Sequence, residues 1–169
     1  MSRLAPFNLR GWVEQNRHLL RPPVGNKMLW NDGFMVMVVG GPNRRADYHV
    51  NPGEELFYQL EGDIILRVIE DGRPHDLPIR QGDIFLLPAG VPHSPQRPPD
   101  TVGLVVERAR PEDADDHLRW YCPGCGQLLH DAQFHLVDLG TQLKPIIENF
   151  YASEQLRTCK SCGHVMPPP

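Results

Sequence analysis

The sequence has no apolar run approaching the roughly 18 residues that a membrane-spanning helix needs. It also has no secretory core near its start, because Arg3, Arg10, Glu14, Arg17 and His18 interrupt the first twenty residues. A cytoplasmic location without membrane attachment is therefore the expectation. There is no excess of positive charge: 17 Lys and Arg stand against 21 Asp and Glu, a net charge of −4. That excludes nucleic-acid binding driven by bulk charge. No glycine-rich nucleotide motif appears, so no NAD or flavin site is indicated. No cysteine is left over either. All four fall into two Cys-x2-Cys pairs. Finally, long helices have little room. The 18 prolines in 169 residues are about twice the usual share of roughly 5%. The length itself allows one domain with a small appendage.

What is present reads mostly as short strands. A helix is expected near residues 8–19 with Asn8 as its cap, ended by Arg21-Pro-Pro-Val-Gly25. From residue 27 to residue 107, apolar runs recur at Met28–Trp30, Phe34–Val39, Leu56–Leu60, Ile64–Ile69, Ile84–Leu87 and Val102–Val106. Turn signals such as Asn31-Asp-Gly33, Asp71-Gly-Arg73 and Gln81-Gly-Asp83 separate them. Many short strands with regular turns indicate a sandwich or barrel. The acidic stretch Pro111–Asp116 reads as a linker, which sets the expected boundary: residues 1–110 form the barrel with its N-terminal segment, and residues 111–169 form a C-terminal extension. Within that extension, Phe134–Leu139 is apolar, Pro145–Ser153 can be helical, and Pro167–Pro169 should fray.

Three side chains stand out by spacing, in His49-x5-Glu55-x6-Gly62 and Gly82-x5-Pro88-x-Gly90-x2-His93. These resemble the paired motifs of the cupin superfamily, small β-barrels that hold a metal inside. The usual first motif has a second histidine two residues after the first; here that position is Asn51. The remaining set is two imidazoles and one carboxylate, which leaves open positions on an octahedral metal and suits non-haem Fe(II) oxygen chemistry. His49 and Glu55 are an even number of residues apart, so both can face inward while Glu54 faces away. His18, His75, His117, His130, His135 and His164 carry no such pattern and read as ordinary surface or core histidines.

Cys122-Pro-Gly-Cys125-Gly126 and Cys159-Lys-Ser-Cys162-Gly163 each place two thiolates on a tight turn. Together they make a closed tetrahedral four-sulfur site for Fe or Zn. With no open position, its expected role is to staple a tail too small to own a core. A dithiol redox pair is the lesser reading.

Charged residues join the first constellation. Arg45, Asp47 and His49 alternate and can share one face, with Arg44 facing out. Arg97 has the parity of His93, and Glu107 ends a buried-looking strand. Two arginines and a glutamate beside a metal suit a small polar acid, since a guanidinium meets a carboxylate through two hydrogen bonds.

The resemblance then becomes specific. Pro22–Lys27, Val39-Gly-Gly-Pro-Asn43, Arg45-Ala-Asp-Tyr-His49, Glu54–Leu60, Gly82–Pro88, His93-Ser-Pro-Gln-Arg-Pro98, Trp120-Tyr-Cys122 and Phe150–Glu154 resemble the 3-hydroxyanthranilate 3,4-dioxygenase family over nearly the whole chain. The cysteine-bearing tail resembles the bacterial form, with its rubredoxin-like second metal. The resemblance implies a cupin β-barrel (jelly roll) that cleaves the ring of 3-hydroxyanthranilate with O2. The product would be 2-amino-3-carboxymuconate 6-semialdehyde, the precursor of quinolinate in tryptophan degradation or NAD biosynthesis. It implies His49, Glu55 and His93 as ligands of catalytic Fe(II), and Cys122, Cys125, Cys159 and Cys162 as ligands of a second metal. It further implies Arg97 and Glu107, with Glu55, as substrate contacts, Arg45 beside dioxygen, Asn26 at the rim, and a homodimer. The Val50-Asn51 turn after His49 departs slightly and is expected to tolerate change. Three alternatives stay open: a related dioxygenase for another aminophenol or catechol, a ligand-binding sensor that consumes no oxygen, and a Zn or Mn isomerase.

Overall fold

The computed structural model describes residues 4–21, 25–43, 45–137 and 139–168. Arg44 and part of the Pro22–Lys27 motif lie outside the described residues, as does Pro169. The chain starts with helix α1 (Leu9–Asn16), capped by Asn8, whose Oδ1 accepts from the Gly11 amide at 2.9 Å. A 3₁₀ turn, Arg17–Leu20, continues it. The expected helix over 8–19 is thus present but tightens in its last turn.

Eleven strands follow among the described residues. β1 (Asn26–Asp32), β2 (Phe34–Gly40), β4 (Glu55–Glu61), β7 (Ile84–Leu87) and β9 (Val102–Arg108) form one sheet in the order β1-β2-β9-β4-β7. The second sheet runs β11-β10-β3-β8-β5-β6. It contains β3 (Asp47–Val50), β5 (Ile64–Glu70), β6 (Arg73–Ile79), β8 (His93–Gln96), β10 (Asp116–Tyr121) and β11 (Leu128–Phe134). All pairings are antiparallel. The two faces enclose Met37, Phe57, Ile64, Leu66, Val68, Ile79, Leu87 and Val105, which is the jelly-roll barrel of the cupin type. Alternation places these residues inside, and α1 and the 3₁₀ turn after it cover the outer face at Val38 and Val102 through Val13 and Leu20.

The expected linker at Pro111–Asp116 needs correction. Asp116 is fully buried and opens β10, which pairs with β3 in the barrel sheet. The boundary at 110/111 falls in the loop after β9, and the residues beyond it complete a sheet begun before it. The extension also has a core of its own. Leu118, Trp120, Phe150 and Met166 are buried, and Trp120 stacks on Phe150 with centroids 4.2 Å apart. Burying one such aromatic stabilises by about 2–3 kcal/mol. Phe150 comes from α2 (Leu139–Ala152), which starts before the expected helix and carries Pro145 inside it. A short α3 (Glu154–Arg157), capped by Ser153, leads to the second cysteine pair.

Candidate active site

His49 points inward from β3, directly opposite His93 of β8. The next turn keeps register because the Asn51 side chain accepts from the Gly53 amide at 2.7 Å and the Asn51 carbonyl accepts from Gly90. Glu55 therefore opens β4 facing inward, while Glu54 is exposed. The ligand atoms of His49, Glu55 and His93 lie within 4.8 Å of one another, and all three residues are buried. The triad bridges the two sheets.

The electrostatics fit a cation. Glu55 Oε2 is buried without a hydrogen-bond partner, although His93 Nε2 is 3.1 Å away. Burial alone would raise the Glu55 carboxyl and lower the His93 imidazole. Burial is the largest single cause for each, but their mutual attraction, joined by His49 and Arg110 at Glu55 and by the Val91 carbonyl and Glu107 at His93, leaves Glu55 below and His93 above its ordinary value. His49 is lowered, chiefly by burial, and stays a neutral donor. His93 is oriented by the Val91 carbonyl, 3.0 Å from its Nδ1.

The triad lines a cavity of about 620 Å³, a size suited to a small molecule. Asn26, Arg45, Arg97 and Glu107 line the same cavity, between apolar walls that include Met37, Val39, Phe57 and Val105. The seven cavity residues singled out in the sequence thus come together. Arg97 is 3% exposed; its Nη1 reaches Gln59 Oε1 at 3.3 Å and its Nε has no partner. Burial holds it down to about 10, so it remains a cation at neutral pH. A buried, under-partnered guanidinium is a receptor for a planar anion. Burial, followed by the Glu55 charge, pushes Glu107 up to about 7. Asn51 and Arg110 donate to its Oε2 at 2.9 and 2.5 Å. Arg45 forks onto Asp47.

Asn51 overturns the expectation that its turn tolerates change. It is 2% exposed and bonds Glu107, Gly53 and Gly90 at once. Asp116 and Arg110 were missed altogether. Asp116 lies 2.6 Å from His49 Nε2, and Arg110 grips Asp116 with two nitrogens. The acidic run before Asp116 masked it; the only local signal was its place at the head of the alternating Leu118–Trp120 strand. Helix α2 was also unforeseen here. Its Leu143, Lys144, Ile147 and Glu148 form part of the cavity wall.

The four cysteines converge in the tail. Cys122 and Cys162 sulfurs lie 3.6 Å apart, Cys125 and Cys159 3.5 Å apart, and none forms a disulfide. A tetrahedron of Zn–S bonds of about 2.3 Å has edges near 3.8 Å, so the set fits one metal. Gly126 and Gly163 both adopt φ +75°, and their amides close each turn onto the Cys122 and Cys159 carbonyls. The amides of Cys162 and Ser161 draw the Cys159 thiol below its ordinary value, whereas hydrogen bonds among the thiols leave Cys125 and Cys162 above theirs.

The 3-hydroxyanthranilic acid dioxygenase family profile matches residues 1–151, a span that ends before the second cysteine pair. A "3-hydroxyanthranilate 3,4-dioxygenase" of Xanthomonas campestris pv. campestris (strain B100) is 55% identical over 164 residues, covering 97% of this chain and 93% of the relative. A protein of the same name from Ruegeria pomeroyi is 53% identical over 169 residues, covering 99% and 94%. Among solved structures, a cupin-2 domain containing protein from Shewanella frigidimarina is 15% identical with a TM-score of 0.42, covering 49% of this chain and 78% of that one. Identity above one half along nearly all of both chains exceeds what a shared barrel alone requires, and on that ground the chain belongs to the 3-hydroxyanthranilic acid dioxygenase family.

Proposed function

We propose that the chain is an Fe(II)-dependent ring-cleaving dioxygenase. It converts 3-hydroxyanthranilate and O2 to 2-amino-3-carboxymuconate 6-semialdehyde, which closes without help to quinolinate. The observation that carries this reading is the placement of a buried, under-partnered Arg97 in the same cavity as the His49, Glu55 and His93 triad. When bound, the ferrous ion supplies a coordination point for the aminophenol and the redox chemistry that brings it together with dioxygen.

The protein's own residues do the rest. Arg97 grips the substrate carboxylate by its fork. Glu107, held by Asn51 and Arg110, faces the polar substituents and can accept a proton near neutrality. Arg45, fixed by Asp47, presents positive charge beside the position for dioxygen. The apolar walls exclude water, and Asn26 sits at the rim. Both oxygen atoms enter the product and no further reductant is needed, in keeping with the lack of a nucleotide motif.

The four-cysteine site holds a structural Fe or Zn that ties the tail to the barrel. Reduced, unpaired cysteines suit a cytoplasmic location. No helix among the described residues is long and apolar enough to cross a membrane. A homodimer is supported by the outer face of the five-stranded sheet, where Trp30, Phe34, Ile84 and Leu86 are 47%, 53%, 67% and 55% exposed. The pathway served is NAD biosynthesis or tryptophan degradation.

The test is oxygen uptake by Fe(II)-loaded protein given 3-hydroxyanthranilate, beside His49→Ala. The expected result is one O2 per substrate, a new near-ultraviolet product band and an inactive variant. Binding without oxygen uptake would overturn the reading and favour a sensor.

A further inference from the structure

Strand β4 turns Glu55, Phe57 and Gln59 into the barrel. Glu55 belongs to the triad and Phe57 to the core. Gln59 is 2% exposed and belongs to neither. Each end of its amide faces a partner of one kind. The Glu61 carbonyl can only accept, so Gln59 Nε2 donates to it at 2.9 Å. A guanidinium can only donate, so Oε1 accepts from Arg97 Nη1 at 3.3 Å. The main chain of Gln59 is tied as well, donating to the Asp83 carbonyl and accepting from the Gly82 amide. Gly103 stands opposite on β9 and brings no side chain between the two. The backbone of Arg97 is held separately, by two 2.9 Å hydrogen bonds exchanged with Asn43. The partner sets Arg97 apart from its neighbours. Arg45 is paired with Asp47, and Arg110 with Glu107 and Asp116. Among the described residues no carboxylate forms an ion pair with Arg97.

We propose that Gln59 is a positioning residue that aims Arg97 with a neutral acceptor, and that this choice makes the cavity favour an aminophenol carboxylate over its carboxamide. The inference rests on the reading of Arg97 as the receptor for the substrate carboxylate. An amide oxygen holds the guanidinium in place yet leaves its charge free for an anionic ligand. A glutamate in the same place would make a charge-assisted pair with Arg97. An incoming carboxylate would then meet a guanidinium already neutralised, beside a second buried negative charge. An aliphatic side chain would leave Nη1 without its partner and the fork free to turn. A carboxamide ligand carries no charge, so it senses either change much less.

The test measures dissociation constants of 3-hydroxyanthranilate and of its carboxamide, 2-amino-3-hydroxybenzamide, by calorimetry of Fe(II)-loaded protein without oxygen. Wild type is compared with Gln59→Glu, Gln59→Leu and Arg97→Met. A thermal melt and the metal content check that each variant is folded. Gln59→Glu is expected to weaken binding of the acid about 10- to 100-fold and that of the carboxamide less than about threefold, so the preference for the acid narrows or reverses. Gln59→Leu should weaken the acid several-fold with a smaller effect on the carboxamide. A folded Gln59→Glu protein with the wild-type ratio of the two constants overturns the proposal. Loss of both ligands by one common factor does the same, since that is what a merely structural role would give. If Gln59→Glu does not fold, Gln59→Leu decides by the same ratio. Arg97→Met protein that binds the acid as tightly as wild type would instead refute the reading of Arg97 as the carboxylate receptor.

Discussion

Gly103 lies on the inward face of β9 against the Arg97 guanidinium. A Cβ there would stand 2.9 Å from both Arg97 Nη1 and Gln59 Oε1. Both are the ends of side chains that can yield, so the cost falls on aim more than on stability. Gly103→Ala is expected to raise KM about tenfold while changing stability by less than about 1 kcal/mol, checked by steady-state kinetics beside a thermal melt. Glu107 makes a prediction about pH. Its folded value of about 7 lies above the ordinary 4.5, so the folded state binds its proton more tightly than the unfolded chain. Its contribution to stability is therefore full below pH 4.5 and is lost as pH rises through about 7. In metal-free protein, Glu107→Gln should melt close to wild type at pH 4.5 and above it at pH 8. A constant difference across that range would refute the assignment. Asp116 has the opposite sign: burial alone would raise its carboxyl, but Arg110 and His49 outweigh burial and hold it below 3.8.

Helix α2 carries the tail across to the cavity. It puts Lys144 in the cavity wall with Glu148 one turn on, 3.7 Å away. Lys144 is exposed, so its pull on an anionic substrate acts through solvent and is screened by salt. Lys144→Glu should lower kcat/KM several-fold at low ionic strength, with the gap closing near 1 M salt; a salt-independent loss would point to packing instead. How far each element was legible follows from its partners. β2, β4, β5 and β9 alternate or run apolar because their side chains fill the barrel, and the sequence displays them openly. β6 was not visible. It is an edge strand of Arg73-Pro-His-Asp-Leu-Pro-Ile79 that pairs with β5 alone, and prolines and charges suit such an edge. β3 and β8 were hidden for the reverse reason, since their inward positions carry site groups such as Asp47, His49 and His93 instead of core residues. The triad was legible because glycines at 62, 82 and 90 fix its turns at positive φ. Asn51, Arg110 and Asp116 were not, because their meaning is a buried contact with a distant residue and no local pattern encodes it.

Across the whole molecule, the tail is bound to the barrel through β10, which pairs with β3; within the tail, Trp120 stacks on Phe150 and the Met166 carbonyl accepts from Arg157 at 2.6 Å. The four sulfurs close this loop. Cys159→Ser should therefore release the tail metal and lower Tm by about 6–12 °C, the shift corresponding to roughly 3 kcal/mol in a chain of this size. It should also weaken Fe(II) binding at the triad, because the strand bearing Asp116 loses its support. Calorimetry and metal analysis of the same sample check both, and an unchanged Tm would show that the sulfurs hold nothing essential. The pairing of β3 with β10 also imposes an order in time. A chain leaving the ribosome exposes His49, Glu55 and His93 before residues 110–121 emerge from it. Until then β3 lacks its β10 neighbour and His49 its contact with Asp116. Under the proposed function, iron uptake would then be a late event in the birth of each molecule, and chains released short of Asp116 would carry His49, Glu55 and His93 yet hold the metal poorly.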